Sequence, residues 1–174
     1  MVSIPLEQQK ANEATRETAA PRRGFFSQIF RSSGKPITTE EIARFLDELP
    51  HQAAILDASG IVQYVNLAWR QFAAANGALS PCCGVGVNYV QLCEEVQGSE
   101  KKSAEAVAAG LRNVLTHHVA FYELEYPCHS PGENRRFLLQ ACPIPDEHGG
   151  AVVVHINVTE QMRVTNLVGE IPGT

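Results

Sequence analysis

The sequence predicts an α+β domain built on an antiparallel sheet, and three observations lead there. Two short β-rich runs flank a tight turn in "QAAILDASGIVQYVN", residues 52–66. Three more strand-like runs follow one another between residues 120 and 157, with only turn-forming stretches between them. Capped amphipathic helices lie before and between these blocks. Strands that come in consecutive blocks favour antiparallel pairing, with helices covering the two faces unequally.

Each element has a local reason. Residues 1–36 read as a flexible N-terminal tail, rich in Gln, Glu, Ala, Thr and Arg, broken by "RRGFFSQIFR" at 22–31. Phe25, Phe26, Ile29 and Phe30 make a short sticky turn there, suited to packing on the domain itself or to anchoring on a partner or membrane surface. Residues 37–49 read as an amphipathic capping helix. Thr38 and Glu41 fit a capping box, Ile42, Phe45, Leu46 and Leu49 form one apolar stripe, and Pro50 stops it. Asp57, Ser59 and Gly60 suit a hairpin turn. Asn66 is placed to cap the helix "LAWRQFAAANG", and Gly77 to close it.

A short helix over 89–96 and a longer one over 100–118 follow. The longer one carries Val107, Ala108, Leu111 and Val114 on one face and His117 and His118 in its last turn. "AFYELEYPC" alternates Glu123 and Glu125 with Tyr122, Leu124 and Tyr126, then "RRFLLQACPI" and "AVVVHINV" complete the strands. Thr159 is placed to cap a short final helix or tail over 161–174.

Composition narrows the function classes. A length of 174 residues suits one domain with tails. Residues 1–36 carry a net charge of +3 and the remainder −8, which argues against nucleic-acid binding by the folded part. The sequence holds no apolar stretch of the roughly 20 residues that span a bilayer, and its start lacks a signal-peptide core, so a cytoplasmic location is expected. Five cysteines without a C-x-x-C pair read as free thiols. Cys82, Cys83, Cys128 and His129 match no usual zinc spacing, and no metal site is expected. No catalytic set is expected either: Cys128 and His129 are strand neighbours that point to opposite faces.

The order of elements, with "ILDASGIVQYVN" at one end and "AVVVHINVTEQ" at the other, resembles a PAS domain over residues 50–160. The Asp-x-x-Gly hairpin, the Asn before "AWRQF" and the segment "LEYPCHSP" carry the likeness. The chain departs from the family at Asn157-Val158-Thr159, where Asp-Ile-Thr is usual. The resemblance implies a five-stranded antiparallel sheet in the order 2-1-5-4-3 with helices on its inner face. It also implies a sensory or regulatory module of bacterial signal transduction that pairs with a second copy. Family members pass the signal to an attached effector; here a histidine kinase, a diguanylate cyclase or a transcription regulator is expected in trans, unless the chain is a fragment of a longer protein. The alternative within the family is a ligand-free interaction module.

Family members bind haem, flavin, small metabolites or nothing, and the sequence names none of these. The Asn-Cys-Arg-Phe-Leu-Gln-like helix of covalent flavin chemistry is absent, since Cys93 lies in "QLCEEV". A haem ligand from the long helix is lacking as well, because His117 and His118 stand at its end. His155 is the most informative position. Period-2 alternation puts Val153, His155 and Asn157 on one face, and Phe137, Leu139 and Ala141 on the matching face of the strand before. The resemblance turns that face inward, where Trp69, Phe72, Tyr89, Val107 and Leu111 complete a mostly apolar ligand-binding lining with His155 and Asn157 as polar handles. The same His155 also reads as a core imidazole satisfied by Glu125 or by a tyrosine hydroxyl. Ile42, Phe45, Leu46 and Leu49 are the expected dimerisation stripe.

Overall fold

The structure is a computed structural model and describes residues 37–77, 84–128, 134–145 and 148–159. The expected tail with its aromatic turn, Cys82, Cys83, His129 and the helix over 161–174 lie outside these residues. The described chain opens with helix α1, Thr39–Asp47, whose capping box is made: Glu41 N donates to Thr38 Oγ1 at 3.2 Å and Thr38 N to Glu41 Oε2 at 2.8 Å. Strands β1, Gln52–Leu56, and β2, Val62–Val65, form the first hairpin. Asp57 organises its turn, its Oδ1 accepting from Ser59 N and Ile61 N while Gly60 takes the positive φ of 83°. Helix α2, Leu67–Ala75, runs from the Asn66 cap to Gly77, whose φ is 76°. Helix α3 is Tyr89–Glu94 and α4 is Lys101–Leu115, reached through a single 3-10 turn. His117 ends α4 in the left-handed region, with φ 58°.

Strands β3, Tyr122–Pro127, β4, Arg136–Pro143, and β5, Ala151–Asn157, complete one antiparallel sheet in the order β2-β1-β5-β4-β3. This is the order the resemblance implies. The first and last strands are therefore central neighbours, with Gln52 opposite His155 and Ala54 opposite Val153. That position explains the apolar run 151–154: a central strand covered on both faces buries every side chain.

Two cores follow from the alternation. The inner face packs Leu56, Val62, Leu139 and Val153 against Val90 and Cys93 of α3 and Val107, Leu111 and Val114 of α4. Gly110 lets α4 approach β3, since a Cβ there would lie 2.1 Å from the Tyr122 ring. The outer face packs Ala53, Ile55, Cys142, Val152 and Val154 under Ile42 and Leu46 of α1. Each fully buried leucine or isoleucine contributes roughly 1.5–3 kcal/mol, so α1 is held by its stripe as well as by its cap.

Ile42 and Leu46 are at 0% exposure against the chain's own sheet, whereas Phe45 and Leu49 are only partly covered. Of the stripe read as a pairing surface, half is thus already buried within one copy.

Candidate functional site

The site begins at β5. His155 is the strand's one buried polar side chain, 4% exposed, and it points to the inner face beside Leu139. Tyr126 Oη lies 2.6 Å from His155 Nδ1, and Tyr89 Oη lies 3.3 Å from His155 Nε2. The imidazole is thus held between a strand tyrosine and a helix tyrosine. Trp69 of α2 meets it edge-on, with ring centroids 5.3 Å apart. Phe137 stacks on Tyr126 at 6.1 Å, and Phe72 meets Phe137 edge-on at 5.8 Å.

Burial sets the charge states. It pushes the His155 pKa down to about 4, so the ring is neutral at pH 7. Burial also raises both tyrosine hydroxyls well above their ordinary range, keeping them protonated. The thiols of Cys93 and Cys128 are pushed up to about 12 and about 11, again chiefly by burial, so neither is an activated nucleophile. Glu100 and Arg135 act on Cys128 with opposite signs. Arg135 Nη1 donates to Asn76 Oδ1 at 3.1 Å and lies over the Phe72 ring at 5.6 Å.

These residues test the cofactors the family uses. A haem iron needs a free imidazole nitrogen, and both nitrogens of His155 face tyrosine oxygens. The trio does not fit that role without losing a hydrogen bond. Among the described residues no group of three His, Cys, Asp or Glu is placed to hold a metal ion.

Of the residues read from the sequence, Trp69, Tyr89, Phe72, Phe137 and His155 come together as one aromatic cluster. Val107, Leu111 and Leu139 belong to the inner core against which Trp69 and Tyr89 pack. Asn157 does not join it. The residue is exposed at the strand end, and its Oδ1 accepts from Thr159 N at 3.0 Å and Thr159 Oγ1 at 2.6 Å. Thr159 Oγ1 in turn accepts from Arg136 N at 3.0 Å, while the helix it was expected to cap lies outside the described residues.

Glu125 is not the partner of His155 either, because it faces outward and pairs with Arg136 at 2.5 Å. The residue that sequence reasoning missed is Tyr126. Its signal was the β3 alternation, which sets it on the face of Tyr122 and Leu124 and opposite Phe137, one row from His155.

A second buried polar residue fixes the frame around the cluster. Asn66 is at 0% exposure, and all its hydrogen-bonding capacity is used. Its Oδ1 accepts from Ala53 N and Trp69 N, both at 3.0 Å, and its Nδ2 donates to Leu46 O and His51 O, both at 2.8 Å. One side chain thereby joins the end of α1, the start of β1 and the helix that presents Trp69. Asp47 reinforces the joint from outside, accepting from Tyr64 Oη at 2.5 Å and Leu67 N at 3.1 Å.

Comparisons with known proteins agree with this architecture. A sequence model described as the PAS fold matches residues 46–163. An uncharacterized 104.1 kDa protein from the hypE 3′ region of Rhodobacter capsulatus is 40% identical over 116 residues, which is 66% of this chain but 12% of that protein. The phage VqmA–DPO complex superposes with a TM-score of 0.52 at 15% identity, over 78% of this chain and 60% of that one. The Vibrio cholera VqmA–ligand–DNA complex gives 0.50 at 17%, over 79% and 59%. This chain thus spans only part of each of these proteins, and the two structures share its fold. With the family model covering more than half of its length, the chain belongs to the PAS fold family.

Proposed function

We propose that this PAS domain is a sensory module whose aromatic cluster around His155 takes a small molecule and whose state is passed to a signalling partner. One observation carries the reading. A buried neutral histidine is bonded to the hydroxyls of two partly buried tyrosines inside an otherwise apolar inner core. Packing alone is served as well by apolar residues, and a buried polar network is costly unless it has a use. The route outward is Trp69, which touches His155 and hangs by its backbone from Asn66, which in turn holds Leu46 of α1. Pairing of two copies through the partly covered Phe45 and Leu49 fits the same scheme. A kinase, a cyclase or a transcription regulator then reads the pair.

A ligand-free interaction module is the second reading. It is favoured by one fact: no buried side-chain nitrogen or oxygen among the described residues lacks a hydrogen-bond partner. A thermal-shift screen of metabolites against the native chain and His155→Leu separates the two. Sensing predicts compounds that stabilise the native protein, by roughly 2.7 kcal/mol at a hundredfold excess over Kd, and fail on the variant. Equal melting of both proteins with every compound favours the interaction module. Sedimentation of Phe45→Glu tests pairing, which is expected to weaken. An unchanged dimer puts the interface elsewhere.

A further inference from the structure

We propose that the aromatic cluster takes a neutral, planar molecule presenting one hydrogen-bond acceptor, a carbonyl oxygen or a ring nitrogen, to the hydroxyl of Tyr89. This rests on reading the cluster as a ligand site and specifies the ligand's chemistry.

The trio holds more hydrogens than its contacts use. A neutral imidazole carries one N–H, and two tyrosines carry one O–H each. The two contacts in the trio, Tyr126 Oη to Nδ1 and Tyr89 Oη to Nε2, use two of these three hydrogens. One hydroxyl hydrogen is left over whichever tautomer the ring adopts. Neither tyrosine oxygen has a second partner among the described residues.

The two distances say where the leftover hydrogen sits. O–H donors make shorter bonds than N–H donors, so the 2.6 Å contact is Tyr126 O–H donating to Nδ1. The proton of the ring then sits on Nε2 and points at Tyr89 across 3.3 Å, which leaves the Tyr89 O–H unused. The Tyr89 ring is partly buried beside His155, where a donor without an acceptor is unfavourable, and a bound acceptor removes that penalty.

Charge and shape follow from the same surroundings. The imidazole is neutral, Glu100 acts on Tyr126 with a sign that opposes an anion, and the Arg135 guanidinium is turned to Asn76 over the Phe72 ring. Among the described residues, an anion buried beside Tyr89 would lack a cation to pair with. The rings of Trp69, Tyr126 and Phe137 around His155 favour a flat apolar frame.

The test compares three probes of similar size on the full chain by ligand-observed NMR titration: ethylbenzene, acetophenone and benzoate. Acetophenone is expected to bind about tenfold more tightly than ethylbenzene, and benzoate most weakly. Tyr89→Phe is expected to bring acetophenone to the ethylbenzene level without changing ethylbenzene. Equal binding of acetophenone and ethylbenzene to the native chain overturns the acceptor inference and leaves the ligand site standing. Tightest binding by benzoate overturns the neutral class. Binding by none of the three overturns the site itself. The ranking on the native chain decides even where the variant folds poorly.

Discussion

Asn66, which follows β2, and His155, in β5, are both polar and buried, yet they are built in opposite ways. Asn66 has two donors and two acceptor sites, and four backbone groups meet them at 2.8–3.0 Å. His155 belongs to a trio with more hydrogens than bonds, and one of its two contacts stretches to 3.3 Å. A saturated residue has one geometry and serves as a rivet. An undersaturated one has room for a further partner and can rearrange by moving a proton between its two nitrogens. The difference separates the part of the molecule that must not change from the part that can.

Replacing Asn66 by Leu is expected to give the largest effect. Four backbone groups lose their partner at once, two of them donors. At 1–3 kcal/mol for each group left unpaired, partly relieved by water, the loss is about 4 kcal/mol in urea denaturation. A loss under 1 kcal/mol would erase the contrast with His155.

Acid comes next. The folded-state pKa of His155 is about 4, below its ordinary 6.5, so the unfolded chain takes up the proton first as pH falls. The contribution is complete above pH 6.5 and declines as pH drops towards 4, by roughly 3 kcal/mol. The difference in stability between the native chain and His155→Gln, followed across that window, isolates it. A flat difference would mean that the ring is not buried neutral.

Tyr126→Phe is expected to cost about 1.5 kcal/mol, since it removes the short bond and leaves Nδ1 without its donor. Tyr89→Phe is the mildest change, within about 0.5 kcal/mol, because the contact it removes is the long one. The order of these last two sharpens the comparison: a larger loss for Tyr89→Phe would place the leftover hydrogen on Tyr126 instead.

The rivet and the cluster were legible in the sequence to different degrees. The helix cap at Asn66, the capping box of Thr38 and Glu41 and the hairpin turn at Asp57 all depend on residues within a few positions of each other, and all were readable. The bonds from Asn66 to Leu46 and His51 span 20 and 15 residues, and no local pattern announces them.

His155, Trp69, Tyr89, Phe72 and Phe137 were grouped correctly by alternation together with the family likeness. Tyr126 escaped because its hydroxyl reaches His155 diagonally, past Phe137 on the strand between. That contact follows from register across three strands and not from any one of them. Asn157 was misplaced for the complementary reason. Alternation assigns a face, but at a strand's last residue the backbone turns, and the nearest hydrogen-bond donor, Thr159, decides where the carboxamide points. The apolar stripe of α1 was evident as a stripe, while the surface it lies on was not, because an outer sheet face and a second subunit offer the same chemistry.

The central place of β5 has a consequence for how the chain is made. β1 and β5 pair across about a hundred intervening residues, so the middle of the sheet is the last part to leave the ribosome. Until residue 157 has emerged, β1 has only β2 beside it, and Ile42 and Leu46 lack Val152 and Val154 to lie on. The nascent polypeptide thus carries uncovered apolar surface until β5 has emerged, an interval open to misassembly.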